Sequence, residues 1–424
     1  MSNDRPSPPV LTPDAGKVVI LPVQIPLNPG DPANSALSRL TRVFSAILAM
    51  DPAARKAAAR ALETDFSPRH ADVLEIFRGR YRQLQGLLPQ TPGLDDTSAL
   101  LVGAYFSHEY SYQAAAILSP SMIRHPDQTG LETGAVRFIL STRCIGEGHI
   151  STIGFREGVV FGDGTITLNS APDNARAAEP ALPGPDGTIT LNRRGTLSQT
   201  VIFPVTRAQS NGLEDLRLCE FEDGGRKTYI GTYTAFSGRD LRCERFETQD
   251  FQTFRLIPTR GAAAAHKGLA FFPRKIGGRY AALGRLDHES IHYLESDDLD
   301  VWEGGERILQ PSAPWELMQI GNCGSPIELD EGWLVVTHGI GMVRQYALSA
   351  VLLDKADPRK VLGRSKMPLL TPDIDVRDGY APNVIYSCGA VRAGDWLIVP
   401  YSVADTRIRF ASIPMRDILA MLNP

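Results

Sequence analysis

A short unit recurs through the chain: an aromatic residue opens an apolar strand, and five positions later a polar or aromatic residue closes it. Phe138-Ile-Leu-Ser-Thr runs to Arg143, Tyr229-Ile-Gly-Thr-Tyr to Thr234, and Tyr280-Ala-Ala-Leu-Gly to Arg285. Trp333-Leu-Val-Val-Thr runs to His338, and Trp396-Leu-Ile-Val-Pro to Tyr401. The last four aromatics stand 51, 53 and 63 residues apart, which suits one four-stranded blade each. A second repeat matches Glu247-Thr-Gln-Asp-Phe-Gln-Thr-Phe254 to Glu295-Ser-Asp-Asp-Leu-Asp-Val-Trp302 at an offset of 48. The wider gap after Phe138 holds residues 163–194, which contain Asp-Gly-Thr-Ile-Thr-Leu twice and read as an inserted hairpin and loop. Five copies predict an all-β five-bladed β-propeller, with a β-sandwich of similar turn spacing as the alternative.

The first part of the chain has a different texture. Leu37, Leu40, Phe44 and Leu48 recur at a helical period. The Ala/Arg-rich run from Pro52 to Leu62 has strong helix propensity, with Asp51 as its cap and Pro52 in the first turn. A third helix is expected from about Pro68 to Leu87, with Val73, Ile76, Phe77 and Tyr81 on its apolar side, and Leu88–Thr97 reads as a linker. From Leu100 onward short β-type runs are expected. The predicted division is therefore a mainly helical N-terminal α-helical extension over residues 1–98 and the propeller over 99–424. The apolar stripe around Leu37 to Leu48 suits core packing or contact with a second copy in a homo-oligomer.

A formal net charge of −4 over 424 residues gives no reason to expect nucleic acid or an anionic membrane as partner. Any basic patch must be local, as a small anionic substrate requires. Residues 1–13 lack an apolar run behind a basic start, and no stretch approaches ~18 uninterrupted apolar residues. Cys144, Cys219, Cys243, Cys323 and Cys388 are odd in number and show no CxxC pairing. Free buried thiols in a cytoplasmic protein are the expectation, with no metal site and no cofactor.

Propeller blades bring equivalent positions of their inner strands together, so Arg143, Arg285 and His338 are expected to converge. Three potential cations in one place need an anion, a phosphate or carboxylate. The alternative pairs each one within its own blade. Ser210-Asn-Gly-Leu-Glu-Asp-Leu-Arg217 places two adjacent carboxylates before the strand at Tyr229. In an extended segment Glu214 and Asp215 face opposite sides, so one can face a pocket while the other pairs with a base. A carboxylic acid of raised pKa is the usual proton donor to a glycosidic oxygen. His266 and Lys267 precede a buried strand, and Gly268 permits close approach to a ligand. Trp302 belongs to the repeat and is expected in the core.

These residues resemble a known family. Gly212-Leu-Glu-Asp-Leu-Arg217 is similar to the Gly-x-Glu-Asp-Pro-Arg signature of glycoside hydrolase family 130, with Leu216 in place of the proline. Lys267–Lys275, Gly278–Arg285, Ser296–Trp302, Gly332–Gly339, Leu353–Pro358, Asn383–Gly389 and Tyr401–Asp405 follow in the family's order. Ser119-Pro-Ser121 and Ser402 depart from its pattern. The resemblance covers about residues 105–424 and implies a five-bladed propeller that acts on β-mannosides. It implies an inverting glycoside phosphorylase yielding α-mannose 1-phosphate, with inorganic phosphate as co-substrate. By motif, Asp215 is the general acid, its proton reaching the glycosidic oxygen through the sugar's 3-hydroxyl. Lys267, Arg285 and His338 hold phosphate, with Arg143 as a further wall residue. Glu214, Tyr233, His266, Asp405 and Tyr401 are the expected sugar-contacting residues. The alternatives are an inverting exo-β-mannosidase, with Glu147, Glu316 or Asp405 as its base, and a mannoside-binding propeller without turnover.

Overall fold

A computed structural model describes residues 6–23, 36–86 and 94–422; the side chains at 36 and 37 lie outside that description. The chain divides into two compact units. The smaller is Gly16–Ser111 with Pro172–Ala175, and the larger is Met1–Ala15, Tyr112–Ala171 and Arg176–Pro424.

The smaller unit packs helices Ala36–Ala49, Pro52–Phe66, Val73–Gln85 and Asp96–Tyr105 beside a two-stranded pair, Val18–Pro22 against Ser107–Ser111. Asp51 caps the second helix as expected, its carboxylate accepting from the amides of Ala53 and Ala54 at 2.8 and 3.2 Å. Leu40, Phe44 and Ile47 carry the first helix into the core, whereas Leu48 is 44% exposed. Leu40 and Phe44 thus lie on the expected side, Ile47 takes the place expected for Leu48, and Leu37 falls outside the described side chains. Ile76 is likewise at the surface, and the third helix packs through Val73, Phe77, Tyr81 and Leu84. The expected change to strand at Leu100 is overturned, because Asp96–Tyr105 is a helix with Ser98–Gly103 buried. Asp95 caps it by accepting from the Ser98 amide. A run that is apolar all round carries no period to tell helix from strand.

The larger unit is mostly β, in antiparallel runs that follow one another along the chain. Ala116–Arg124, Val136–Ile145 and Ser151–Val160 form the first run. Gly212–Asp223, Arg226–Phe236, Leu241–Thr248 and Thr253–Pro258 form the second. A bridge between Gly212 and Ser151 joins these two into one sheet, to which the short strands of the 163–202 region add. Three separate sheets follow, built around Tyr280–Gly284, Trp333–Ile340 and Trp396–Val403. Each aromatic of the sequence repeat therefore lies on a strand of a different antiparallel run. Phe254 and Trp302, equivalent in the second repeat, are both fully buried, so Trp302 is core. All five cysteines are free and buried. Among the described residues no helix is long and apolar enough to cross a membrane.

The hairpins that follow Arg143 and His338 share one shape. Gly146 (φ −109°, ψ −157°) opens the first and Gly341 (φ −107°, ψ −156°) the second, each followed by left-handed residues.

Candidate active site

The two carboxylates after Gly212 do not alternate. The pairing of Gly212–Asp223 with Arg226–Phe236 slips between Glu214 and Arg217, and Asp215 is left-handed with φ 55°. A bulge of this kind bends the strand and re-aims one side chain. Glu214 and Asp215 therefore both meet Arg143, which donates from Nη2 to Glu214 at 2.8 Å and from Nη1 to Asp215 at 3.2 Å. The expectation of opposite faces fails here because the bulge breaks the period of two. Arg143 Nε donates to the Ser151 hydroxyl at 2.8 Å, which fixes the guanidinium plane. Lys267 Nζ donates to the other oxygen of Glu214 at 2.7 Å. Glu214 thus positions two cations while Asp215 keeps one carboxylate oxygen away from Arg143.

A second bulge lies across from the first. The pairing of Ala116–Arg124 slips between Leu118 and Ser121, Ser119 has φ 47°, and its side chain hydrogen-bonds Asp215. Burial would push the Asp215 carboxyl up, but Arg143, Arg217, Lys267 and Ser119 outweigh it and hold it down at about 2. Asp405 goes the other way. Burial and then the Asp215 charge push it up to about 6, against the pull of Arg143 and Arg344. Ala404 and Asp405 are consecutive left-handed residues, φ 52° and 48°.

Arg217 is fully buried and ties the acid to the next wall. Its Nη1 donates to the backbone carbonyl of Asp215 at 2.9 Å and its Nη2 to the Tyr386 hydroxyl at 2.5 Å. The Tyr386 ring meets His338 edge-on at 5.0 Å, Tyr346 stacks on His338 at 6.0 Å, and the two tyrosine rings meet each other at 6.4 Å. Burial, followed by Arg285 and Arg217, pushes His338 well below the usual histidine range, against Asp215. His338 is thus held toward its neutral form, and is not the third cation expected from its residue type. Gly321 pairs with His338, and a Cβ there would lie 2.5 Å from His338 Cε1 and 2.9 Å from Arg285 Cδ. Only glycine lets the imidazole and the guanidinium pack this closely. Gly268, φ 90°, is held to Asn322 through its carbonyl at 2.8 Å, and a Cβ on it would press within 3.2 Å of Arg285 Nε. Arg285 Nε and His338 Nε2 are both buried and have no protein partner among the described residues.

The remaining expected residues spread out. The His266 ring meets His288 at 5.0 Å with 52° between the planes, and burial, then His288 and His292, lower its pKa. Tyr233 is 1% exposed, and its hydroxyl donates to Glu244 at 2.5 Å within a buried network that includes Gln209. Tyr401 packs on the apolar cluster of Leu334, Val336 and Ile385, while its neighbour Ser402 turns inward to bond the Tyr386 carbonyl. Glu316 is 2% exposed and accepts from the amide of Ala313 and from Arg364, which commits it to its own turn. Ser119, Gly321 and Tyr386 were not singled out by sequence reasoning as parts of the site. Ser119 had a signal, since Ser119-Pro-Ser121 was a departure from the family pattern. Among the described residues there is no cluster of three or more metal-ligating side chains.

Comparison with known proteins gives one consistent result. The sequence model of the family described as beta-1,4-mannooligosaccharide phosphorylase matches residues 189–424. A 1,2-beta-oligomannan phosphorylase of Thermoanaerobacter sp. (strain X514) is 35% identical over 226 residues, 52% of this chain and 75% of that one. A beta-1,2-mannobiose phosphorylase of Listeria innocua is 33% identical over 230 residues, 52% of this chain and 63% of the relative. The solved Listeria innocua beta-1,2-mannobiose phosphorylase, in complex with beta-1,2-mannobiose, superposes with a TM-score of 0.52 at 22% identity. That match covers 73% of this chain and 92% of the other. A structure from work on glycoside hydrolases that target beta-1,2 mannosidic linkages in Candida mannan gives 0.55 at 16% identity, over 74% and 89%. At these identities the superpositions speak for the fold alone.

Proposed function

This chain belongs to glycoside hydrolase family 130, and from that premise we propose that it is an inverting phosphorylase of β-mannosides. Inorganic phosphate attacks the mannosyl C1 from the face opposite the leaving sugar and yields α-mannose 1-phosphate. The observation that carries this reading is the pair of buried nitrogens without a protein partner, Arg285 Nε and His338 Nε2, packed together over Gly321. Buried polar groups without a partner are unfavourable, and a phosphate offers oxygens to the Arg285 N–H and, in its hydroxyl, a group that bonds His338 in either tautomer. Lys267, paired with the other oxygen of Glu214, adds a further cation. Phosphate is already a nucleophile, so the site needs cations to position it and no carboxylate base.

Asp215 is the general acid of this scheme, with the mannosyl 3-hydroxyl as its relay. In the free enzyme Arg143, Arg217 and Lys267 keep its carboxyl ionised. A phosphate dianion seated near Lys267 and Arg285 offsets those cations and raises the Asp215 pKa toward its working range. Asp405 holds its own proton up to about pH 6 beside it. Of the candidate bases for hydrolysis, Glu316 is committed to Arg364 and its own turn, whereas Asp405 lies within electrostatic reach of Asp215. The five antiparallel runs, each with one repeat aromatic, support a five-bladed propeller, and the free buried thiols support a cytoplasmic setting.

The test is phosphate release from α-mannose 1-phosphate with a panel of acceptors: glucose, mannose, N-acetylglucosamine and short mannosides. Acceptor-dependent release is expected, with a loss of at least about 100-fold in Asp215→Asn. No release with any acceptor overturns the reading. Mannose freed from β-mannosides in phosphate-free buffer establishes a hydrolase instead.

A further inference from the structure

Two exposed rings lie on loops that adjoin residues of this site. His149 lies in the hairpin that follows Arg143, and its ring meets that of Tyr380 at 5.7 Å with 46° between the planes. Tyr380 is 74% exposed and His149 is exposed too. Neither ring adds to the core, yet both are held in place. His149 is left-handed at φ 58°, directly after Gly148 at φ 68°. The Tyr380 amide donates to the Thr406 hydroxyl at 3.0 Å, and the Ala381 amide to the Ala404 carbonyl, so Tyr380 is fastened to the turn that carries Asp405. The same loop reaches the hairpin after His338, since the Tyr346 amide donates to the Asn383 carbonyl at 3.0 Å. That hairpin exposes Met342 and Val343 and holds Val343 at φ 54°. A β-branched residue there is a backbone outlier, and such strain clusters where ligands bind.

The groups of the site decide what these rings meet. The buried nitrogens Arg285 Nε and His338 Nε2 have no protein partner, Asp215 is within electrostatic reach of both His338 and Asp405, and the exposed ring pair sits on the loops beside Arg143 and Asp405. A glycoside whose C1 faces the buried nitrogens and whose linking oxygen faces Asp215 must carry its leaving sugar outward, toward those loops. A pyranose ring presents an apolar face of C–H groups, which a tyrosine or imidazole ring covers well.

We propose that His149 and Tyr380 form the stacking platform for the acceptor sugar, the one released in phosphorolysis and required in synthesis. This rests on the phosphorylase reading above. In the synthetic direction, Tyr380→Ala and His149→Ala are each expected to raise the acceptor KM about 3- to 10-fold. The KM for α-mannose 1-phosphate stays within about twofold, and Tyr380→Phe restores the acceptor KM because it keeps the ring. An unchanged acceptor KM in Tyr380→Ala, or two KM values that rise together, overturns the platform. Calorimetric binding of a β-mannobiose to Asp215→Asn, with and without Tyr380→Ala, separates the two claims. If the wild type fails to turn over α-mannose 1-phosphate, the phosphorylase reading falls, and the calorimetry alone decides: weaker binding supports the platform and equal binding overturns it.

Discussion

Asp405 is the residue whose environment has the clearest measurable effect on stability. Its carboxyl is pushed up to about 6 by burial and by Asp215, whereas in an unfolded chain it ionises near about 3.9. Between those values the native state keeps the proton that the unfolded state has lost. Stability therefore falls as pH rises through that window, and the loss is complete above about pH 6. Asp405→Asn removes the titration. Relative to the wild type, the variant is expected to gain about 1–2 kcal/mol between pH 4 and pH 8. Urea unfolding at the two pH values measures this, and an equal difference at both shows that the carboxyl is not perturbed. The gain in stability should accompany a loss of activity, since strained, like-charged pairs are kept where function needs them.

At the scale of elements, the tightest contact is between two helices. A Cβ on Gly103 would lie 1.8 Å from the Phe77 carbonyl oxygen, so Val73–Gln85 and Asp96–Tyr105 touch backbone to backbone. Alanine favours a helix over glycine by about 1 kcal/mol, but overpacking here costs more. Gly103→Ala is expected to destabilise the smaller unit by about 2 kcal/mol, read from its thermal or urea transition; a stabilised variant would mean that the helices are not pressed together. The sequence carried part of this architecture plainly. Asp51 and Pro52 marked a helix start because capping is local chemistry, and the five aromatics marked strands because alternation and turns are local too. Asp96–Tyr105 was illegible because Ala-Leu-Leu-Val has no polar face to give a period. The shared orientation of Glu214 and Asp215 was illegible because the bulge depends on register with the neighbouring strand. Tyr386 meets Arg217 from 169 residues away, a separation no local pattern reports.

Across the whole molecule, ligand and fold are linked. If phosphate satisfies the buried nitrogens that the protein leaves unpaired, it binds the native state and not the unfolded chain, so orthophosphate should raise the melting temperature. The rise is expected to exceed that from chloride at equal ionic strength and to vanish in Lys267→Met with Arg285→Met. A shift that is equal for both salts would point to screening alone. The walls of the site also have separate origins. Arg143, Asp215, Arg285, His338 and Asp405 come from or beside five different antiparallel runs. The hairpin tips at His149 and Val343 are exposed and lie outside the apolar clusters that hold those runs together. A lineage built this way can diverge one wall at a time. Exchange of an exposed hairpin changes the sugar that is admitted, while the acid and the anion-binding floor are inherited intact, so new substrates can be explored without first surrendering the reaction.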